Sequence, residues 1–267
     1  MSSSTRIRQG AAGILLFAIG ILMSLVLHRP APEEHLREFS MERLLRTSLL
    51  PVGQTMYIWG GGWNQEDAGA GREAVTLGVS KRWAEYAARQ TETYDFDKTR
   101  YQSHDGLDCS GYIGWLLYNV FHTRNGETGY VTGASKMARV CAARGWGYLV
   151  QGDYKPGDIC SMEGHVWMSL GRCMDGSVLL VHASPPGVRI CGTYLNDGTK
   201  SEAVKLAEQV MQRQYPAWYS RYPECGVGYF YLEDSVGMRW YTDEETDPYH
   251  LQEMRAEDVV HFLYPDM

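Results

Sequence analysis

The chain has 267 residues, 44% of them hydrophobic and 21% charged, with a formal net charge of -7. These proportions belong to a globular protein with a sizeable core, and the acidic balance gives no electrostatic footing for nucleic acid as a partner. Aromatic residues reach 12%, with 18 Tyr and 8 Trp, a surplus that serves packing and also suits a groove for sugars or peptides.

In chain order, Arg6 and Arg8 precede GAAGILLFAIGILMSLVL, an uncharged run over residues 10–27. Its 18 residues exceed a signal-peptide core and reach the lower limit of a membrane-spanning helix. Neither an Ala-x-Ala site nor a lipid-acceptor cysteine follows it; the next residues, HRPAPEEH at 28–35, form a short charged linker. The expectation is a single-pass signal anchor with residues 1–9 in the cytoplasm and everything after His28 outside it. A cleaved signal peptide, leaving the domain secreted, is the alternative.

Met41, Leu44, Leu45 and Leu49 then recur at helical spacing, with Leu36 and Phe39 ahead of them, which predicts a helix ending near Pro51. MYIWGGGWN is aromatic and closed by three glycines, and reads as a tight loop beside a cleft. Residues 64–105 are polar and mixed, with a helix expected around Ser80 to Thr91, and read as an insertion or lid. CSGYIGWLLYNVF at 109–121 is a mostly apolar helix with Asp108 or Ser110 near its start. After Gly145, GDICSMEGHVWMSLG, SVLLVHAS and GVRICGTY are short runs rich in Val, Ile and Leu, parted by glycine and DG or PPG turns, and read as consecutive antiparallel strands. A helix over 201–221, further short strands and a last helix at Ala256 to Leu263 complete the chain. Helices followed by a block of strands give an α+β fold.

A cysteine at 109, between Asp108 and the small pair Ser110–Gly111, can be packing, half a disulfide, a metal ligand or a nucleophile. At the first turn of a helix the backbone amides and macrodipole favour the thiolate, so a lowered thiol pKa is expected. The small Ser110 and Gly111 would let a substrate backbone approach. His165 follows a glycine turn at the start of one strand, and His182 ends the next; antiparallel pairing can set them side by side. One imidazole could then take the thiol proton while the other orients it. Zinc is disfavoured, because Cys160, His165, Cys173, His182 and Cys191 are spaced 5, 8, 9 and 9 apart, unlike the close pairs of structural zinc sites. The run DEETD at 243–247 reads as a solvated loop, His104 as a loop histidine, and Asn119 and His122 have no distinguishing context.

Taken in order, YIWGG, DCSGY, PGD with GHVWMSLG, and VHAS resemble the motifs of the NlpC-type cell-wall cysteine peptidases, over about residues 40–195. The resemblance implies a papain-like α+β core at 36–195 with an insertion at about 63–104, and a C-terminal extension at 196–267 packed on it. It implies Cys109 as nucleophile, His165 as general base and acid, and His182 as the third, orienting residue. Tyr57 and Trp59 of the YIWGG motif and Gly164 before His165 are implied to line the cleft, and Asp108 and Ser110 to help hold the substrate amine. The implied reaction is hydrolysis of peptidoglycan stem peptides, typically at the γ-D-glutamyl bond to a diamino acid, with no cofactor and no metal. The implied partners are the peptidoglycan peptide, the membrane through residues 10–27, and envelope-complex proteins. A muramoyl-alanine amidase or acyl transferase on the same fold, and a non-catalytic envelope scaffold, are the rival readings. From Gly61 to Asp108 there are 47 positions, several times the usual gap, so the insertion is expected to reshape one wall of the cleft.

Overall fold

Ser40 opens the first helix, α1 (Met41–Leu49), by accepting a hydrogen bond from the Arg43 amide at 3.2 Å. The apolar spacing seen in the sequence buries Met41, Leu44, Leu45 and Leu49 on one face of it. These coordinates are a computed structural model that describes residues 39–121 and 129–267. The expected anchor at 10–27, the linker at 28–35, Leu36 and His122 lie outside the described residues. Among the described residues no helix is long and apolar enough to cross a membrane.

After α1 the aromatic run begins as a strand, β1 (Met56–Tyr57), before it becomes the expected turn. The insertion carries α2 (Lys81–Ala88), and β2 (Gly106–Leu107) leads directly into α3 (Cys109–Phe121). Next come α4 (Met137–Ala143), β3 (Gly147–Val150), β4 (Ile159–Met162), β5 (His165–Arg172), β6 (Val178–Ser184) and β7 (Gly187–Thr193). The helix expected over 201–221 is two helices, α5 (Glu202–Gln214) and α6 (Pro216–Tyr219), because Pro216 cannot continue α5 but suits the first position of a new helix. The chain closes with β8 (Gly226–Val227), α7 (Phe230–Glu233), β9 (Val236–Trp240) and α8 (Ala256–Leu263).

The strands form one curled sheet in the order β2-β1-β7-β6-β5-β4-β9-β3, with β8 added beside β7. Pairing is antiparallel except for β1 with β2 and β7 with β8. This α+β architecture agrees with the sequence pattern. The main core lies between one face of the sheet and the helices, and it takes Val166, Met168 and Leu170 of β5 with Leu179, Val181 and Ala183 of β6. The alternate residues Trp167, Val178 and Leu180 point into a smaller cluster on the other face, closed by Tyr231 and Leu232 of α7.

At the centre, α3 buries every residue from Cys109 to Leu117 and also Val120. Tyr112 Oη donates to the Ser48 carbonyl at 2.9 Å and so ties α3 to α1. The insertion is fastened to the same helix. Asn119 Oδ1 accepts from the Gly78 amide at 2.7 Å, its Nδ2 donates to the Thr76 carbonyl at 3.0 Å, and Trp115 Nε1 donates to the Gly78 carbonyl at 3.0 Å. Asn119, without context in the sequence, is the residue that makes the insertion a fixed wall.

Residue 195 does not bound the sheet. β9 lies between β4 and β3, so the C-terminal segment is part of the core as well as packed on it. A buried ion pair fixes it there: Arg239 meets Asp158 through Nη2–Oδ2 at 2.8 Å and Nε–Oδ1 at 3.2 Å. Removing one partner would strand the other charge in the core, so Arg239→Met should lower the unfolding free energy by about 3–5 kcal/mol in urea titrations. A loss below about 1 kcal/mol, the range of an exposed pair, would show that β9 is held by packing alone.

Candidate active site

Cys109 is the first residue of α3, and Asp108 caps the helix ahead of it. Asp108 Oδ1 accepts from the Gly111 amide at 2.7 Å and from Ser110 Oγ at 2.9 Å, while Ser110 Oγ accepts from Trp63 Nε1 at 2.9 Å. Both residues therefore line the cleft with their groups already engaged in holding the helix start. Gly111 is small for a reason other than substrate approach. A Cβ there would lie 2.0 Å from the Gly61 carbonyl oxygen, so the YIWGG segment docks on the helix backbone to backbone. The Gly61 oxygen also accepts from the Asp108 amide at 2.9 Å.

His165 begins β5 and His182 lies near the end of β6, both on the sheet face that carries Trp167 and Leu180. The two strands are laddered from Met168↔Val181 to Arg172↔Val178, and the ladder stops short of both histidines. There β5 stays with β4 and β6 with β7, where His182 faces Arg189. In this split His165 Nε2 and His182 Nδ1 are 3.1 Å apart, a hydrogen bond between the imidazoles. Cys109 reaches the same end of the sheet: the Val166 amide, next to His165 in the chain, points to its sulfur, and Gly164 on the other side of His165 lines the cleft with Cys109. The hydrogen bond His165 makes runs to His182 and not to the thiol.

Burial dominates the electrostatics. It pushes the Cys109 thiol up to about 12, with the Asp108 charge adding to the rise and the amides of Val166 and Ser110 opposing it. The lowered thiol pKa expected from the helix start is thus reversed, because desolvation of the thiolate outweighs the helix amides. Burial likewise pulls His165 down to about 4 and His182 further below its ordinary value. Asp108 itself is raised to about 6 by burial, against the hydrogen bonds that cap the helix. At neutral pH the resting site therefore holds a neutral thiol and two neutral imidazoles. Among the described residues His182 Nε2 is buried without a partner, so a proton there would be an orphaned donor. The resting proton of His182 belongs on Nδ1, donating to His165 Nε2.

The cleft above Cys109 has a volume of ≈ 230 Å³ and opens beside Tyr57, Trp59, Asp108, Ser110 and Gly164, whereas His165 and His182 are not part of its lining. Tyr57 has its carbonyl tied by Tyr94 Oη at 2.6 Å and its ring set edge-on to Phe96 at 5.6 Å. Trp63, Asp67 and Tyr101 of the insertion complete one wall. His104 is held elsewhere, with Nδ1 2.6 Å from the buried Glu73.

Tyr231 was not legible as a site residue. Its ring lies 5.5 Å from His165 and 6.0 Å from His182, and the charged form of Cys109 would act on its phenol. It comes from α7, in a stretch YFYLED that carries no motif, and only the folding of the C-terminal segment over the sheet brings it here. All six cysteines are free and buried, and no group of His, Cys, Asp and Glu among the described residues could hold a metal ion. No protein-family model, no curated protein and no solved structure matches the chain.

The reversed thiol pKa has a direct readout. The rate of Cys109 alkylation by iodoacetamide should climb with pH through 8 and 9 without a plateau below about pH 10, since each unit below the pKa leaves a tenth of the thiolate. Asp108→Asn keeps an oxygen to cap the helix and removes a negative charge from beside the sulfur, so it should raise that rate at pH 8 by about threefold to tenfold. A plateau near neutral pH, or a slower Asp108→Asn variant, would contradict this account of the site.

Proposed function

We propose that the chain is an extracytoplasmic cysteine peptidase of papain-like architecture that hydrolyses an amide bond in peptidoglycan stem peptides, with the γ-D-glutamyl bond to a diamino acid as its target. The observation that carries this reading is the 3.1 Å His165–His182 hydrogen bond at the end of the sheet where Cys109 begins its helix. The order of the motifs YIWGG, DCSGY, GHVWMSLG and VHAS supports it, and residues 10–27 would tether the domain outside the cytoplasm.

Substrate entering the cleft would begin the reaction from the neutral pair. Both neutral rings first take the other tautomer, in which His165 Nε2 donates to His182 Nδ1 and His165 Nδ1 is left free. The Cys109 thiol then gives its proton to that Nδ1 as sulfur bonds to the amide carbon. The imidazolium so formed donates from Nε2 to His182 Nδ1, for which the His182 proton must sit on Nε2. The oxyanion meets the Cys109 backbone amide at the helix start. His165 then passes its proton to the leaving nitrogen as the C–N bond breaks, leaving an acyl-thioester. Water attacks the thioester, gives a proton to His165 and releases the acid, and the proton returns to the thiol. In this scheme His182 orients His165, Tyr231 covers the two rings, and Asp108 and Ser110 hold the helix start in place.

Cys109→Ala should abolish release of peptide fragments from purified peptidoglycan, read by chromatography with mass detection, and the mass of each fragment identifies the bond cut. His182→Ala should lower kcat by about 100-fold or more, as expected for loss of an orienting partner, with a smaller effect on KM. Full activity of Cys109→Ala would sink the assignment. The raised thiol pKa favours a second reading, a non-catalytic envelope scaffold; a thiol that stays unreactive even with peptidoglycan fragments bound would support it.

A further inference from the structure

The cleft above Cys109 runs outward into a second hollow of ≈ 390 Å³, which shares Gly60, Trp63, Asp67 and Tyr101 with it and is lined in addition by Asn64 and Gln65. The hydrolase reading uses none of this outer part. We propose that it is a saccharide subsite, which seats a sugar ring of the glycan strand to which the scissile peptide is attached. The proposal deepens the peptidase reading and rests on it for the identity of the glycan.

Three features of the hollow match a pyranose. First, aromatic faces stand open beside it: Tyr101 is 70% exposed and Trp59 at the cleft mouth is 45% exposed. Rings left in water at that extent are suited to cover the C–H face of a sugar. Second, the backbone that carries the rings is tied and each ring has a neighbour. The Tyr101 amide donates to the Trp59 carbonyl at 3.0 Å, the Tyr101 ring lies against Gly60, and the Arg100 guanidinium sits 5.3 Å from the Trp59 ring centre while bound to Asp97 at 2.6 Å. A backbone already tied leaves less to order on binding. Third, the remaining lining is a set of amides and a carboxylate, Asn64, Gln65 and Asp67, which are the groups that hydrogen-bond hydroxyls.

The backbone points the same way. Among the described residues only three that are not glycine have a positive φ, and two of them, Asp67 (φ 54) and Tyr101 (φ 60), line this hollow. Left-handed backbone at residues with full side chains is retained where the position of the side chain matters. A peptide occupant would call for a row of backbone donors and acceptors, as at a free strand edge. The lining here comes instead from turns and side chains. Trp63 couples the subsite to the chemistry, because its Nε1 donates to Ser110 Oγ next to the nucleophile.

The test is a binding titration of the full-length Cys109→Ala protein with a β-1,4-linked N-acetylglucosamine disaccharide that carries no peptide, followed by tryptophan fluorescence and calorimetry. The disaccharide should bind saturably; Tyr101→Ala should weaken it at least about tenfold, and Tyr101→Phe should leave it within about twofold. Thermal unfolding midpoints of the variants separate loss of the ring from loss of the fold. Absence of saturable binding, or binding that Tyr101→Ala leaves unchanged, overturns the proposal. So does capture of lysine amide in the hollow, abolished by Asp67→Asn, with no response to the disaccharide, for that outcome assigns the hollow to a cation. Because the titration needs no bond cleavage, its failure is distinct from failure of the peptidase reading, which the activity of Cys109→Ala decides.

Discussion

Where the central helix begins, two backbones touch with no side chain between them. A Cβ on Gly111 would fall 2.0 Å from the Gly61 oxygen, and one on Gly62 would fall 2.6 Å from the Gly111 Cα. This contact brings the segment after β1 onto the first turn of α3, and the Asp108 amide locks it by donating to the Gly61 oxygen at 2.9 Å. From there the cleft follows. Trp59 and Gly60 precede the contact, Trp63 follows it and reaches Ser110, and Cys109 lies at its centre. Of the three glycines that suggested a loop beside a cleft, Gly61 and Gly62 serve first as a flat surface for a helix, whereas Gly60 lies against the Tyr101 ring.

The same close packing sets the chemistry of the resting site. A helix start favours a thiolate, but the amides that do so are few, and the surrounding protein excludes the water that would solvate the charge. Burial therefore wins at Cys109, with Asp108 adding to it, and it wins again at His165 and His182. A site of this kind stays neutral until a ligand supplies the stabilisation that water does not. His182 Nε2, without a partner among the described residues, adds a second restraint, because it keeps the resting proton of that ring on Nδ1.

The sheet is interrupted beside the two histidines. β5 and β6 are laddered away from their histidines and part near them, each following its other neighbour. Cys109 belongs to the helical side of the sheet, whereas His165 and His182 lie on the face of the smaller cluster. The C-terminal segment completes the arrangement twice, by placing Tyr231 over the two imidazoles and by threading β9 between β4 and β3 with Arg239 on Asp158.

What the sequence determined by itself was local and periodic. The apolar spacing of α1, the buried run of α3 and the alternation of β5, β6 and β7 are written in neighbouring residues, so an α+β fold was legible, and so was the gathering of Tyr57, Trp59, Asp108, Cys109, Ser110 and Gly164 around one cleft. Only the tertiary structure decided what depends on burial and on contacts between distant segments. It turned the thiol pKa upward, because desolvation is a property of the surroundings rather than of the helix start. It gave Asp108 and Ser110 to the helix cap, gave Asn119 the task of anchoring the insertion, and brought Tyr231 across from a segment without a motif. It also carried the C-terminal chain into the sheet, since strand order is fixed by hydrogen bonds between residues far apart in sequence, and no local pattern encodes which edge a late strand will find.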